Sequence, residues 1–140
     1  ALMAHRLDFG TSGVLLLALD KTSNACLTKQ FQQRSVEKRY MSILLGHIEN
    51  AEGRVSVPIA RDPPNFPRQK ICWETGKEAI SQYHVVDYLD NPARSRVAFT
   101  PETGRTHQLR IHSLAMGHPI LGCDLYGSGE SEHLASASLY

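Results

Sequence analysis

An aspartate in a loop of small turn residues is the first group in this sequence that could do chemistry. Asp8 lies within His5–Gly13, written HRLDFGTSG, directly before the apolar run Val14–Leu19. Functional groups often lie on loops that a rigid element supports, and a carboxylate held there can act as a nucleophile or stabilise positive charge. Arg6, two residues away, can point to the same side. From the residues alone, however, such an aspartate is more often a turn or capping residue.

A second group combines arginines and histidines in Thr103–His112, written TGRTHQLRIH. Arg105 is predicted at the entry of a helix and Arg110 within it, and a helix N-terminus with an arginine suits a phosphate or a partner carboxylate. His107 and His112 do not have the i, i+4 spacing that places two metal ligands on one helix face. We therefore expect structural hydrogen bonds for both histidines and no metal site.

Charge and composition narrow the classes of function. The net charge is only +1, so any nucleic-acid binding must depend on a local patch. Gly104–Gly122 contains arginines and histidines but no Asp or Glu, and a second basic cluster is formed by Arg34, Lys38 and Arg39. Charge alone slightly favours a solvated surface over a binding patch at either place. No apolar run approaches the roughly 20 residues that a membrane span needs.

The cysteines and the start of the chain bear on compartment. Cys26, Cys72 and Cys123 are widely spaced and form no CxxC pair. This pattern indicates reduced thiols rather than a disulfide framework or a zinc site. Ala1–Ala4 shows no signal-peptide pattern. We therefore predict a cytoplasmic protein without a membrane partner.

The elements that must position these residues follow from periodicity and turn signals. We predict a buried strand over Val14–Leu19 and a helix from a cap at Asp20 or Thr22 to about Gln33. The prolines of residues 61–78 forbid a regular element over the first half of that segment. A second helix is expected over Thr106–Met116, closed by Gly117, and the remaining strands are expected at Arg39–His47, Val55–Val57, Ile80–Tyr88 and Arg94–Phe99, the last two as a hairpin. Strands outnumber helices, so we predict an α+β fold with a mixed, largely antiparallel sheet.

Three motifs, in the right order, resemble those of one family. HRLDFGTSG resembles the HRLDxxTSG signature of the RluA-type RNA pseudouridine synthases. PETGRTHQLRIHSLAMGHPILGCDLYG is similar to their second signature, GRTHQLRxH followed by GxPIxGDxxYG, and Lys38-Arg39-Tyr40 matches their KxY motif. FPRQKICWETGKEA is most similar to the RluA branch. The resemblance runs from about Ala4 to Gly127 and is the reason to treat Asp8 as catalytic.

The resemblance implies conversion of a uridine in folded RNA to pseudouridine, without a metal or an organic cofactor. It implies that Asp8 is the catalytic aspartate, that Tyr40 packs on the target base and removes a proton, and that Arg105 pairs with the aspartate. Arg6 is implied to enter the RNA where the flipped uridine stood, and we expect Arg110 to contact phosphates. Family analogy suggests uridines of the tRNA anticodon loop and of large-subunit, 23S-type rRNA as targets.

The match departs from the family pattern at three places. Cys123 stands before Asp124 in a stretch that otherwise fits. Family members continue into an LHA-type motif, which Ser138–Tyr140 approaches, and they have sheet strands upstream of the first signature. We therefore predict that residues 1–140 form one partial pseudouridine synthase catalytic core.

Two other functions stay open from the sequence. The chain can be a non-catalytic RNA-binding fragment of the same fold, which keeps Arg6, Arg105 and Arg110 for phosphates. A metal-dependent hydrolase built on the histidines is more remote, because the ligand spacing is poor.

Overall fold

A computed structural model describes residues 1–127, and the predictions for the tail from Ser128 lie outside them. The chain divides into a first unit, Ala1–Glu37, and a second unit, Lys38–Tyr140. In the first unit, β1 (Leu2–Met3) pairs antiparallel with β2 (Leu17–Ala18), and α1 spans Lys21–Gln32.

Helix α1 begins at the cap that the sequence predicted. Asp20 has an extended backbone, and its carboxylate accepts the Ser23 backbone N–H at 2.8 Å and the Ser23 hydroxyl at 2.7 Å. These bonds satisfy donors at the helix start that have no partner within the helix, and they lower the pKa of Asp20. The helix ends at Gln32, and Arg34 then takes a left-handed backbone.

The predicted buried strand over Val14–Leu19 is wrong. Only Leu17 and Ala18 form a strand, only Ala18 is buried, and Val14 is 87% exposed. An apolar run indicates burial only where another surface covers it. Within residues 1–127, β2 has just the two-residue β1 as a pairing partner, so most of the run faces solvent.

The second unit is built on a four-stranded antiparallel sheet in the order β3–β8–β7–β4. Its strands are β3 (Tyr40–Leu45), β4 (Glu52–Ser56), β7 (Ile80–Leu89) and β8 (Arg94–Pro101). The β7–β8 hairpin turns through Asn91, as predicted, with that residue in the left-handed region. Every strand pair in the described residues is antiparallel, which confirms the α+β prediction but gives no mixed sheet in this part of the chain.

Helix α2 (Gln108–Ala115) packs against this sheet and completes the core. One apolar cluster joins sheet and helix side chains: Leu44, Ile48, Val97 and Phe99, with Leu109 and Met116 packed against it. A second cluster contains Ile59, Ala79, Ile111, Cys123 and Tyr126. The predicted helix over Thr106–Met116 is confirmed with later bounds at its start, and Gly117 ends it in the left-handed region. Neither helix of the described residues has the length and apolar character that crossing a bilayer requires.

The proline-rich excursion forms a small hairpin that the sequence did not predict. β5 (Ile59–Arg61) pairs with β6 (Gln69–Ile71), and a single 3₁₀ turn at Pro63–Asn65 lies between them. Proline is tolerated at the first position of such a turn, because no N–H is required there. Trp73, the only tryptophan of the chain, follows β6 and is 74% exposed.

Candidate active site

Asp8 begins a tight turn in the first unit. The Thr11 N–H donates to the Asp8 carbonyl at 3.0 Å, and Gly10, the third residue of the turn, has φ 82°. Glycine adopts this left-handed backbone without steric cost. The Asp8 carboxylate is 24% exposed, and one of its oxygens lies 3.5 Å from a terminal nitrogen of Arg6, which is 70% exposed. The prediction that Arg6 points to the same side as Asp8 is thereby confirmed.

His5 anchors this loop, a role that the sequence analysis missed. Its Nε2 accepts the Leu16 N–H at 2.9 Å, and its ring stacks on Phe31 of α1 with centroids 4.8 Å apart. In the sequence, only the position of His5 directly before Arg6 could have indicated this anchoring role. The loop is therefore held at its start by His5 and closed by the turn at Asp8.

Arg105 lies on a turn that precedes α2. Its Nε donates to the Glu78 carbonyl at 2.9 Å, and its backbone N–H donates to the side-chain oxygen of Gln108 at 3.0 Å. His107 has φ 55° and starts the helix without a side-chain cap. Arg105 therefore lies just before the helix, near the predicted entry, and a protein side chain already accepts its backbone N–H.

The two histidines of this segment make hydrogen bonds within the protein, as predicted, and both are buried. His107 Nδ1 lies 2.6 Å from the hydroxyl of Tyr126, and His112 Nδ1 lies 2.9 Å from the hydroxyl of Ser81. Burial lowers the pKa of His112 and raises that of Tyr126, so both are neutral at physiological pH. Within residues 1–127, no three His, Cys, Asp or Glu side chains come together as a group that could hold a metal.

Lys38 and Tyr40 lie just before and at the start of β3. Tyr40 is the first residue of β3, pairs with Phe99 and packs against the Leu44 cluster. The Lys38 ammonium donates to the Thr103 carbonyl at 3.2 Å, two residues before Arg105. The structure thus ties the segment of the KxY motif to the start of the second signature.

Arg110 is placed differently from a typical phosphate contact. Its side chain is only 14% exposed, and a terminal nitrogen lies 3.5 Å from a carboxylate oxygen of Asp124. Asp124 follows the buried Cys123. The contact of Arg110 with RNA phosphates stays a prediction. The pairing of Arg105 with Asp8 also stays a prediction, because these two residues belong to different units.

Comparison with known proteins decides the family. The family model described as RNA pseudouridylate synthase matches residues 2–115, which include Asp8, Tyr40 and Arg105. The chain belongs to this family. The resemblance to RNA pseudouridine synthases is thus confirmed, and the role of each residue stays a prediction.

Relatives within the family are similar over most of this chain. The dual-specificity RNA pseudouridine synthase RluA of Escherichia coli K12 is 50% identical over 132 residues, which cover 94% of this chain and 59% of that protein. The Yersinia pestis protein of the same name is 46% identical, with 94% and 64% covered. The chain therefore spans about three fifths of the length of these curated relatives.

Two solved human structures share the fold. RNA Pseudouridylate Synthase Domain Containing 1 has a TM-score of 0.86 and 33% identity, with 93% of this chain and 56% of that chain covered. RNA Pseudouridylate Synthase Domain Containing 4 has a TM-score of 0.75 and 29% identity, with 91% and 52% covered. The α+β arrangement of strands and helices is therefore that of pseudouridylate synthase domains.

Proposed function

We propose that this chain carries the core of an enzyme that isomerises uridine to pseudouridine in RNA, with Asp8 as the attacking carboxylate. The observation that carries the proposal is the Asp8 turn. In a chain of this family, the first signature presents a partly exposed carboxylate, 3.5 Å from an arginine, on a loop that His5 anchors. Such a carboxylate can attack C1′ of a ribose or stabilise positive charge there.

The proposed reaction is an isomerisation that needs no co-reactant. The bond from N1 of the base to C1′ breaks, the detached base turns, and a bond from C5 to C1′ forms. The proton on C5 is lost and N1 gains one, so atoms and electrons balance. Asp8 acts at C1′, and we assign removal of the C5 proton to Tyr40. We assign to Arg105 the role of pairing with this aspartate and orienting it.

We propose structured RNA as the substrate, with a target uridine in a loop. A stacked base is out of reach of the carboxylate and must flip out, at a cost of a few kcal/mol that is smallest in unpaired regions. Arg6 is 70% exposed, so its guanidinium can fill the vacated position and stack on neighbouring bases. Arg110 is assigned a supporting contact with the phosphates. The tRNA anticodon loop and 23S-type rRNA are the proposed targets, which places the activity in the cytoplasm.

Tritium release from RNA that carries [5-³H]uridine tests this function. The C5 tritium leaves only if the base is rejoined through C5. We expect release by the wild-type chain and none by Asp8→Asn, which removes the charge and keeps the shape. Asp20→Asn is the matched control, since asparagine caps a helix as well as aspartate and release should be unchanged.

Other outcomes have distinct meanings. Release by Asp8→Asn at the wild-type rate would refute the role of Asp8. RNA binding by the wild type without release would instead support the non-catalytic RNA-binding fragment. The affinity for RNA should then fall as salt is added. Each phosphate contact with single-stranded RNA should contribute about −0.7 to the slope of log affinity against log salt concentration.

A further inference from the structure

We propose that Gln108 is a positioning residue, which holds the backbone of Arg105 in place for the reaction. This inference rests on the proposed function, because it gives Arg105 a catalytic role. Gln108 is only 4% exposed, although glutamine is usually a surface residue. A buried primary amide is costly unless its hydrogen bonds are made, so its partners indicate what it holds.

The partners of Gln108 fix the orientation of its amide. Its nitrogen donates to the Ile80 carbonyl at 2.9 Å and to the Ser81 hydroxyl at 2.9 Å. Because a carbonyl can only accept, the atom that faces Ile80 must be the NH₂ group. The amide oxygen therefore faces the other way, where it accepts the backbone N–H of Arg105 at 3.0 Å and the hydroxyl of Thr103.

These bonds tie the Arg105 turn to the first residues of β7. Gln108 spans from Ile80 and Ser81 at one end of its amide to Arg105 at the other. Thr103 closes the same network, because its hydroxyl oxygen also accepts the Ile80 N–H at 3.0 Å. β7 pairs with two strands of the sheet, so the Arg105 turn is attached to a rigid element rather than to a loop.

The guanidinium of Arg105 has a second point of attachment in the same place. Its Nε donates to the carbonyl of Glu78, two residues before Ile80. Backbone and side chain of Arg105 are thus both fixed to the start of β7. The remaining donors are the two terminal nitrogens, whose planar fork suits a carboxylate or phosphate. Gln108 acts by fixing the Arg105 backbone, from which the guanidinium extends.

A double-mutant cycle on the chain as it stands tests the proposal. We expect Gln108→Met to lower the single-turnover rate of tritium release by about tenfold or more, since small displacements of a catalytic group are costly. The Kd for RNA should stay within about threefold. In an Arg105→Met background the same change should cost less than about threefold, because a residue that acts through another loses its effect when that other is removed. Equal losses in both backgrounds would overturn the proposal.

Ser113→Ala is the matched control. It removes a buried side-chain hydrogen bond of the same helix, from the Ser113 hydroxyl to the Leu109 carbonyl, and leaves every bond of the Gln108 amide in place. Its release rate should stay within about threefold of the wild type. If Gln108→Met fails to fold, Gln108→Asn keeps a buried amide, draws it back by one methylene and should show the same pattern.

A readout independent of activity separates this inference from the proposed function. Exchange of the Arg105 amide hydrogen, followed by NMR, should speed up by about tenfold or more in Gln108→Met and little in Ser113→Ala. Unchanged protection in Gln108→Met would overturn the claim that Gln108 holds this amide. A wild-type chain without tritium release would refute the proposed function and the catalytic part of this inference, and amide exchange would still decide whether Gln108 holds Arg105.

Discussion

In the first unit, Asp8 is held by a four-residue turn and by one histidine, at a surface where Arg6 and the apolar run around Val14 face solvent. In the second unit, Arg105 is held by a buried amide whose four hydrogen-bonding positions all have partners. Buried networks of this kind rigidify and specify one arrangement, whereas exposed contacts contribute less. The comparison shows that one sequence places its two charged candidates by different means.

The largest expected difference is in stability. Leu44→Ala removes a fully buried side chain from the second unit and should lower the free energy of unfolding by about 2–5 kcal/mol. Leu19→Ala, at an almost fully exposed leucine of the first unit, should change it by less than about 0.5 kcal/mol. Urea unfolding of both variants measures this. Similar losses would contradict the contrast between the two units.

A smaller effect is expected at the anchor of the Asp8 loop. His5→Phe keeps the stack on Phe31 but cannot accept the Leu16 N–H, so the loop should loosen. We expect a fall in the tritium release rate of about tenfold with little change in RNA affinity. His5→Gln, whose side-chain oxygen can reach the position of Nε2, should recover most of the rate. Equal activity of His5→Phe and wild type would show that this anchor is dispensable.

The smallest effect concerns pH and the buried network. Burial lowers the pKa of His112 below its ordinary value of 6.5, so the folded chain favours the neutral ring. This contribution to stability is fully present above that value and is lost as the pH falls from it toward the lowered pKa. Urea unfolding at about pH 7.5 and about pH 5.5 should therefore show a smaller loss on acidification for His112→Asn than for wild type. An identical loss of stability in His112→Asn and wild type would contradict this role of His112.

Elements whose signals are local were predicted from the sequence. The Asp20 cap and the β7–β8 hairpin depend on a few neighbouring residues, and both are present. The strand over Val14–Leu19 failed because burial depends on a distant covering surface. The β5–β6 hairpin was missed because its strands are three residues long and flank prolines.

The candidate site likewise has residues that the sequence indicated and contacts that it did not. Composition and spacing alone did not single out Asp8, and the family resemblance did. No pattern in the sequence indicates which carbonyl or N–H a glutamine will face, so Gln108 emerged only from the geometry. Arg110 was predicted on a helix, correctly, but its ion pair with Asp124 depends on a long-range approach of the chain.

The exposure of Trp73 determines what tryptophan fluorescence reports in these unfolding experiments. As the only tryptophan, and 74% exposed on the turn after β6, it is hydrated while the chain is folded. Its fluorescence emission should then lie near that of an unfolded chain, so melting of the Leu44 cluster would change the spectrum little. Far-UV circular dichroism, which reports the sheet and helices α1 and α2, is the signal that follows the core. Trp73 emission would instead report burial of the turn after β6, free of signals from other indoles.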